Sequence, residues 1–381
     1  MSTGFERQDG RSSDGGPINL DAIAGVPMSP TVIRAWDTAA TGAFSDPARM
    51  HHAGRQAGLL LESARSSIAT SLGCNPQNVF FAGSAAEALR TAIGGIYRLR
   101  SSVSHRVLVG AIESMAVLNA VRQLPEAEIV MIGIDAVGRV DLDQFERELA
   151  KGAALACVQV ANAEIGTRQP ISEVLTRARS NGIPVVSDVT TVIAHDPLPS
   201  DYDVVVAPAR DWGGPPGIAL VVTSPHIRWR PEEAPDRGWI GGFPDIPAAV
   251  AAAVALEEAL GDQESPDVTR GFIDQVRTSL DRLEGIRCVG DPNDRLPHIV
   301  TCVVSGAAAG ELVTALDKHQ IYVASGSACT ADARMPSHVL EAMGLPSESS
   351  IRISLPSTCT QRHIDDFLVT FTQILDSVLH S

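Results

Sequence analysis

Lysine is almost absent from this chain. Of its 30 basic residues 28 are arginine, and only Lys151 and Lys318 are lysine. Chemistry that needs a lysine amine therefore has two candidates in 381 residues. Positive charge is short overall: 45 acidic residues leave a formal net charge of -15. That charge repels phosphate backbones and argues against nucleic-acid binding as the main role. Cysteines are few and scattered, at 74, 157, 288, 302, 329 and 359, with no CxxC pair. Neither a zinc site nor a disulfide framework is indicated, and most of these thiols are expected as buried small side chains in a reducing cytoplasm. No apolar run reaches the ~18 residues that a membrane span needs. The Ala/Val-rich stretch Pro247–Leu260 falls short and is expected to be a buried helix. The first 17 residues are polar and lack the apolar core of a signal peptide, so a disordered tail is expected there.

What is present is a core. At 44% hydrophobic and 20% charged residues the chain can bury a sizeable interior, and its length implies about two domains. From residue 58 onward helical and strand-like segments alternate. Helices are expected at Leu59–Leu72, Ala85–Arg98, Met115–Leu124, Leu142–Ala150 and Ile171–Asn181. Between them lie short apolar strands near residues 78–81, 106–110, 129–134, 154–160, 184–187, 204–207 and 218–222. This alternation predicts an α/β fold with a parallel sheet covered on both faces. After Leu260 the pattern becomes α+β, with the boundary expected near Gly261–Pro266: residues 18–262 form a large domain and 263–381 a smaller one. His51-His52 reads as a surface pair rather than a metal site. Gly213–Gly217 reads as a turn before a strand, and Trp229 and Trp239 are expected to be buried.

Five ordered segments carry a resemblance. They are ASGSACTADARMPSHVLEAMG after Val323, Asn162–Ile171, Asp188–His195, Phe81–Ile93 and Ser350–Leu355. Over residues 18–380 the chain resembles the cysteine desulfurases of the NifS/IscS type. The resemblance implies the type I fold of pyridoxal-phosphate (PLP) transferases and a homodimer with its site near the subunit seam. It makes Cys329 the sulfur-accepting thiol and Arg352 the receptor of the substrate carboxylate. Asp188 becomes the carboxylate at the cofactor's ring nitrogen, and Asn162 an amide beside the cofactor.

The same resemblance exposes what is missing. Aligning Gly214–Gly217 with the family's glycine-proline turn puts Asp211 where the Schiff-base lysine belongs, and no lysine lies in the 166 residues between Lys151 and Lys318. Both lysines follow helical stretches and read as solvated C-terminal helix residues. Pro208 and Arg210 take the phosphate-binding serine and histidine positions. In the phosphate loop Ser84 remains but Ala86 replaces a threonine, Ser114 replaces the stacking histidine, and Thr191 replaces the glutamine at the ring hydroxyl. Gly241 and Gly242 lie in the segment that reaches the neighbouring subunit's phosphate. Each lost charged hydrogen bond weakens phosphate binding by about 1.5–3 kcal/mol. No cofactor is therefore expected, or PLP if the family function survives. The leading expectation is cytoplasmic sulfur transfer without PLP Schiff-base chemistry, with Cys329 as persulfide carrier and an active desulfurase or a sulfur-acceptor protein as partner. A pseudoenzyme, a cofactor-independent enzyme built on Asp211, Asp188, Arg352, Arg210 and Cys329, and an ordinary PLP-dependent desulfurase stay open beside it.

Overall fold

The computed structural model describes residues 16–230, 238–261, 266–325, 336–347 and 349–379. The chain enters through a two-residue strand β1 (Ile18–Asn19), then α1 (Pro30–Gly42) and α2 (His52–Leu72). α2 begins seven residues before the helix expected at Leu59, because His51 caps it. The His51 ring Nδ1 accepts the Gly54 amide at 3.2 Å. Gly73 ends the helix at φ 66°, a conformation that favours glycine.

The alternating section follows as β2 (Val79–Ala82), α3 (Ala85–Arg100), β3 (Arg106–Gly110), α4 (Met115–Arg122) and β4 (Glu128–Ile132). Then come α5 (Leu142–Leu149), β5 (Leu155–Cys157), α6 (Ile171–Ser180), β6 (Val185–Asp188), β7 (Val204–Pro208) and β8 (Ala219–Thr223). These strands form one seven-stranded sheet in the order β2-β8-β7-β6-β5-β3-β4. The sheet is mainly parallel, as expected: β8 alone runs antiparallel, to both β2 and β7, while the remaining pairs are parallel. The reversal has a local cause. β7 returns into β8 through the tight turn that contains Gly213 (φ 78°) and Gly217 (φ 81°), with no crossover helix between them. β5 to β8 are buried at every residue, as strands sandwiched between helical layers must be.

Helix α7 (Ile246–Gly261) is the expected Ala-rich helix, and six of its alanines are buried against α1, α2 and the turn at Trp212. A second unit follows: α8 (Pro266–Leu280), β9 (Ile286–Val289), β10 (Ile299–Val304), α9 (Ala309–Lys318), β11 (Ile321–Tyr322), β12 (Ala324–Ser325), α10 (His338–Ala342), β13 (Ser350–Ser354) and α11 (Gln361–Leu379). Its four-stranded sheet, β12-β13-β10-β9, is antiparallel and shares a core with α8, α9 and α11 through Ile273, Leu312, Phe367 and Phe371. β1 pairs in parallel with β11, and Leu20 is buried in this second core. A division of the chain at residue 262 does not anticipate that contact.

Four of the five described cysteines are buried and Cys74 is partly buried. Trp239 is buried against Phe81, and Trp229 stands edge-on to Phe80 at 5.0 Å, half-buried. No described helix is long and apolar enough to cross a membrane.

Candidate functional site in the cleft

Parallel strands deliver their polar residues to one edge of the sheet. The C-terminal ends of β3, β5, β6 and β7 lead into Ser114, Asn162, Asp188 and Asp211, where open α/β sheets place their ligands. Asp188 is the last residue of β6, and its side chain is held from two sides. Ser114 Oγ donates to its Oδ2 at 2.8 Å, and the Thr190 amide to its Oδ1 at 2.9 Å. Ser114 also caps α4 by accepting the Val117 amide. The position expected to carry a stacking ring therefore holds a hydroxyl that tethers the carboxylate.

Asp211 lies one turn beyond β7, with its side chain 3% exposed. Its Oδ2 accepts the Thr191 amide at 2.8 Å, and Arg210 Nε stands 3.9 Å from its Oδ1. Burial pushes this carboxyl up to about 7; the Thr191 amide and the Arg210 charge pull it down, and the neighbouring Asp188 adds a smaller upward push. Arg210 itself is exposed. Thr191 makes its bond from φ 69°, a conformation that costs a β-branched residue energy.

Arg352 is buried on β13 and pairs with Asp21 Oδ1 at 3.0 Å. The expected receptor for a substrate carboxylate is thus engaged by a carboxylate of the chain's own entering segment. The Ile23 amide donates to Ser354 Oγ at 3.2 Å and fixes that segment beside it. Asn162 is brought to the same edge, but its side chain serves the backbone. Its Oδ1 accepts the amides of Glu164 and Ile165, and its Nδ2 donates to the Ile112 carbonyl. Ser84 and Ala86 are exposed at the start of α3, where Ser84 Oγ caps the helix by accepting the Glu87 amide and Glu87 accepts the Gly83 amide. Gly241 packs against this Glu87 carboxylate, and its neighbour Ile240 donates its amide to the Phe81 carbonyl of β2. Cys329 lies outside the described residues. Further along the chain, Ser337 Oγ donates to Glu164 Oε1 at 2.6 Å, and His338 Nε2 is 2.9 Å from the Glu113 carbonyl oxygen.

Several groups in this region were not singled out from the sequence. Glu113 and Glu164 are buried carboxyls that burial pushes up to about 8 and about 7. His195 and His298 stack at 3.7 Å between centroids, 18° from parallel. Burial brings His195 down to about 4; burial, the neighbouring His195 and the Arg352 charge lower His298 well below its ordinary value. No sequence spacing signals this pair, because the two rings come from different units of the fold.

A lysine-tethered PLP does not fit these residues. Lys151 ends beyond α5, 61% exposed and paired with Glu148, and Lys318 is exposed at the end of α9. Beside Asp211 lies a small, partly open chamber of about 10 Å³, lined by Ala22, Ile23, Thr191, His195, Asp211 and His298. Ligand pockets typically start at about 300 Å³.

The family model for class-V aminotransferases matches residues 18–367. The chain belongs to that family. Curated relatives include cysteine desulfurases. The chain is 28% identical to the cysteine desulfurase of Nostoc sp. over 372 residues, covering 94% of this chain and 93% of the relative. It is 30% identical to the IscS-like cysteine desulfurase of Mycobacterium tuberculosis, covering 91% and 93%. Among solved structures a NifS-like protein superposes with a TM-score of 0.87 at 23% identity, over 95% of this chain and all of that one. This class-V aminotransferase chain is therefore desulfurase-like in sequence and NifS-like in fold, as the five sequence segments imply.

Proposed function

We propose that the protein acts in sulfur transfer without a PLP–lysine linkage, with Cys329 as the persulfide carrier. One observation carries the reading: a buried carboxylate, Asp211, stands just past β7 where the resemblance calls for the amine. A carboxylate cannot form an imine, and both lysines of the chain are exposed at helix ends. The tethering of Asp188 by Ser114 and the pairing of Arg352 with Asp21 support the same view, since both groups are bound within the chain. The sulfur donor is then an active desulfurase or another persulfide, and the carrier passes its sulfur to an acceptor protein. Transfer needs no redox partner. The Cys329 thiolate attacks the outer sulfur of the donor persulfide, the S–S bond breaks, and the donor leaves as a thiolate.

The test is mass spectrometry of the homodimer expected from the family after incubation with an active desulfurase and L-cysteine. One added sulfur atom on the peptide containing Cys329, absent from Cys329→Ala, supports the carrier; an unmodified peptide with a fully loaded donor overturns it. The names of the relatives favour a second reading, a PLP-dependent L-cysteine desulfurase. Sulfide release from L-cysteine that depends on added PLP would establish it.

A further inference from the structure

The chamber beside Asp211 has room for one water molecule. The chain does not satisfy the polar groups around it. Both ring nitrogens of His298 and Thr191 Oγ1 are buried without a hydrogen-bond partner. Buried polar atoms are nearly always partnered, so three orphans on two residues that line one small void point to a bound molecule. Its chemistry is constrained. One face of each of the His195 and His298 rings packs on the other, and the unpartnered nitrogens on the edge of His298 are left to bond a ligand. Asp211 and nearby Asp188 oppose an anion, and Arg210 and Arg352 oppose a cation. No group of three side chains among the described residues is arranged to hold a metal ion. What fits is neutral, has one heavy atom, and both donates and accepts hydrogen bonds.

We propose that this chamber binds one water molecule between Asp211, Thr191 and His298, and that the water makes the trio a cofactor-independent proton-exchange site. Below about pH 7 the trio rests as carboxylic acid, water and neutral imidazole. Burial keeps the proton on Asp211, and burial with the Arg352 and His195 neighbours keeps it off His298. In the exchange step the Asp211 O–H bond breaks as a new O–H bond forms on the water. One of the water's own protons passes to a His298 ring nitrogen. Acid and imidazole become carboxylate and imidazolium, no net charge changes, and no further reactant is consumed. The charged groups that face this exchange are Asp188 from β6, Arg210 from the turn after β7, His195 from the segment after β6, Arg352 from β13 and Asp21 from the entering segment. Thr191 positions the water, and its left-handed backbone aims its amide at Asp211. The inference goes beyond the sulfur-carrier reading and stands whether or not Cys329 accepts sulfur.

The experiment uses the full chain, perdeuterated and protonated only at histidine. A rotating-frame cross-relaxation signal between the His298 ring protons and a long-lived water is expected; a ring without that signal overturns the water. Thr191→Val gives an independent reading on stability. With a water bound, the valine removes one of its partners and lowers the thermal midpoint by several degrees at pH 7. In a dry chamber the midpoint stays level or rises, which also overturns the water. Asp211→Asn tests the exchange. Proton exchange at the His298 ring should slow at least tenfold and lose its dependence on pH between 5 and 8. Unchanged exchange in that variant refutes Asp211 as the proton source.

Discussion

Replacing Asp211 by asparagine should stabilise the protein, and do so more strongly as the pH rises. A free aspartate titrates near 3.9, whereas burial moves Asp211 to about 7. Between those values the folded chain binds a proton that the unfolded chain does not, so stability falls as pH increases. The full penalty is about 3 pKa units, or about 4 kcal/mol, and it is complete above pH 7. At pH 5 only about 1.5 kcal/mol of it has accrued. Asparagine keeps the size and an acceptor oxygen for the Thr191 amide but carries no charge. The advantage of Asp211→Asn over the parent should therefore grow by about 3 kcal/mol from pH 5 to pH 8. For a chain of this size that is roughly 4 °C in thermal midpoint. Calorimetry of both proteins across this range measures the difference, and the contributions of Glu113 and Glu164, common to both, cancel in it. Parallel curves, or a variant less stable than the parent at pH 8, would show that Asp211 is ionised and well solvated or partnered in the fold, and the argument would fail.

Three further outcomes are expected. Arg352→Ala leaves Asp21 without its cation and should cost about 3–5 kcal/mol, with faster proteolysis near residue 20 as the accompanying sign. His298→Asn should extend stability toward acid. His298 titrates below its free value of about 6.5, so the parent loses stability as pH falls under that value; identical acid midpoints for parent and variant would count against the buried neutral ring. Asp211→Lys with added PLP and L-cysteine should release no sulfide in a colorimetric assay, because Ala86, Ser114 and Thr191 still lack the family's contacts; release from this single variant would show the rest of the site to be competent.

Much of the fold was legible because its signals are local. The apolar runs at 106–110 and 204–207 could only be buried strands, and the Ala-rich stretch at 247–260 only a buried helix. α1 escaped notice since its stripe is thin: Val32 and Ala39 are its only buried residues, and Ile33 and Trp36 remain exposed. The direction of β8 was hidden because a strand's residues do not encode which way its neighbour runs. In the site, the missing amine could be read by counting lysines. The partners of the remaining groups could not. Nothing in the order of residues says that Asp21 will reach Arg352, or that His195 will lie on His298, because each pair is made only when the two sheets come together.

The parallel pair of β1 with β11 sets an order of events for a chain made from its N-terminus. Residues 18–23 leave the ribosome some three hundred residues ahead of their hydrogen-bonding partners at 320–322 and 352–354. The seven-stranded sheet is complete in sequence by residue 223 and can assemble without them. The entering segment must wait for the second unit and then close a loop of some three hundred residues, an entropic cost that grows only slowly with loop length. Two walls of the chamber, Ala22 and Ile23, belong to that segment. A chain truncated before β13 thus holds the strands of its main sheet but not the anchors of its site, and closure of the site reports that β13 has been made.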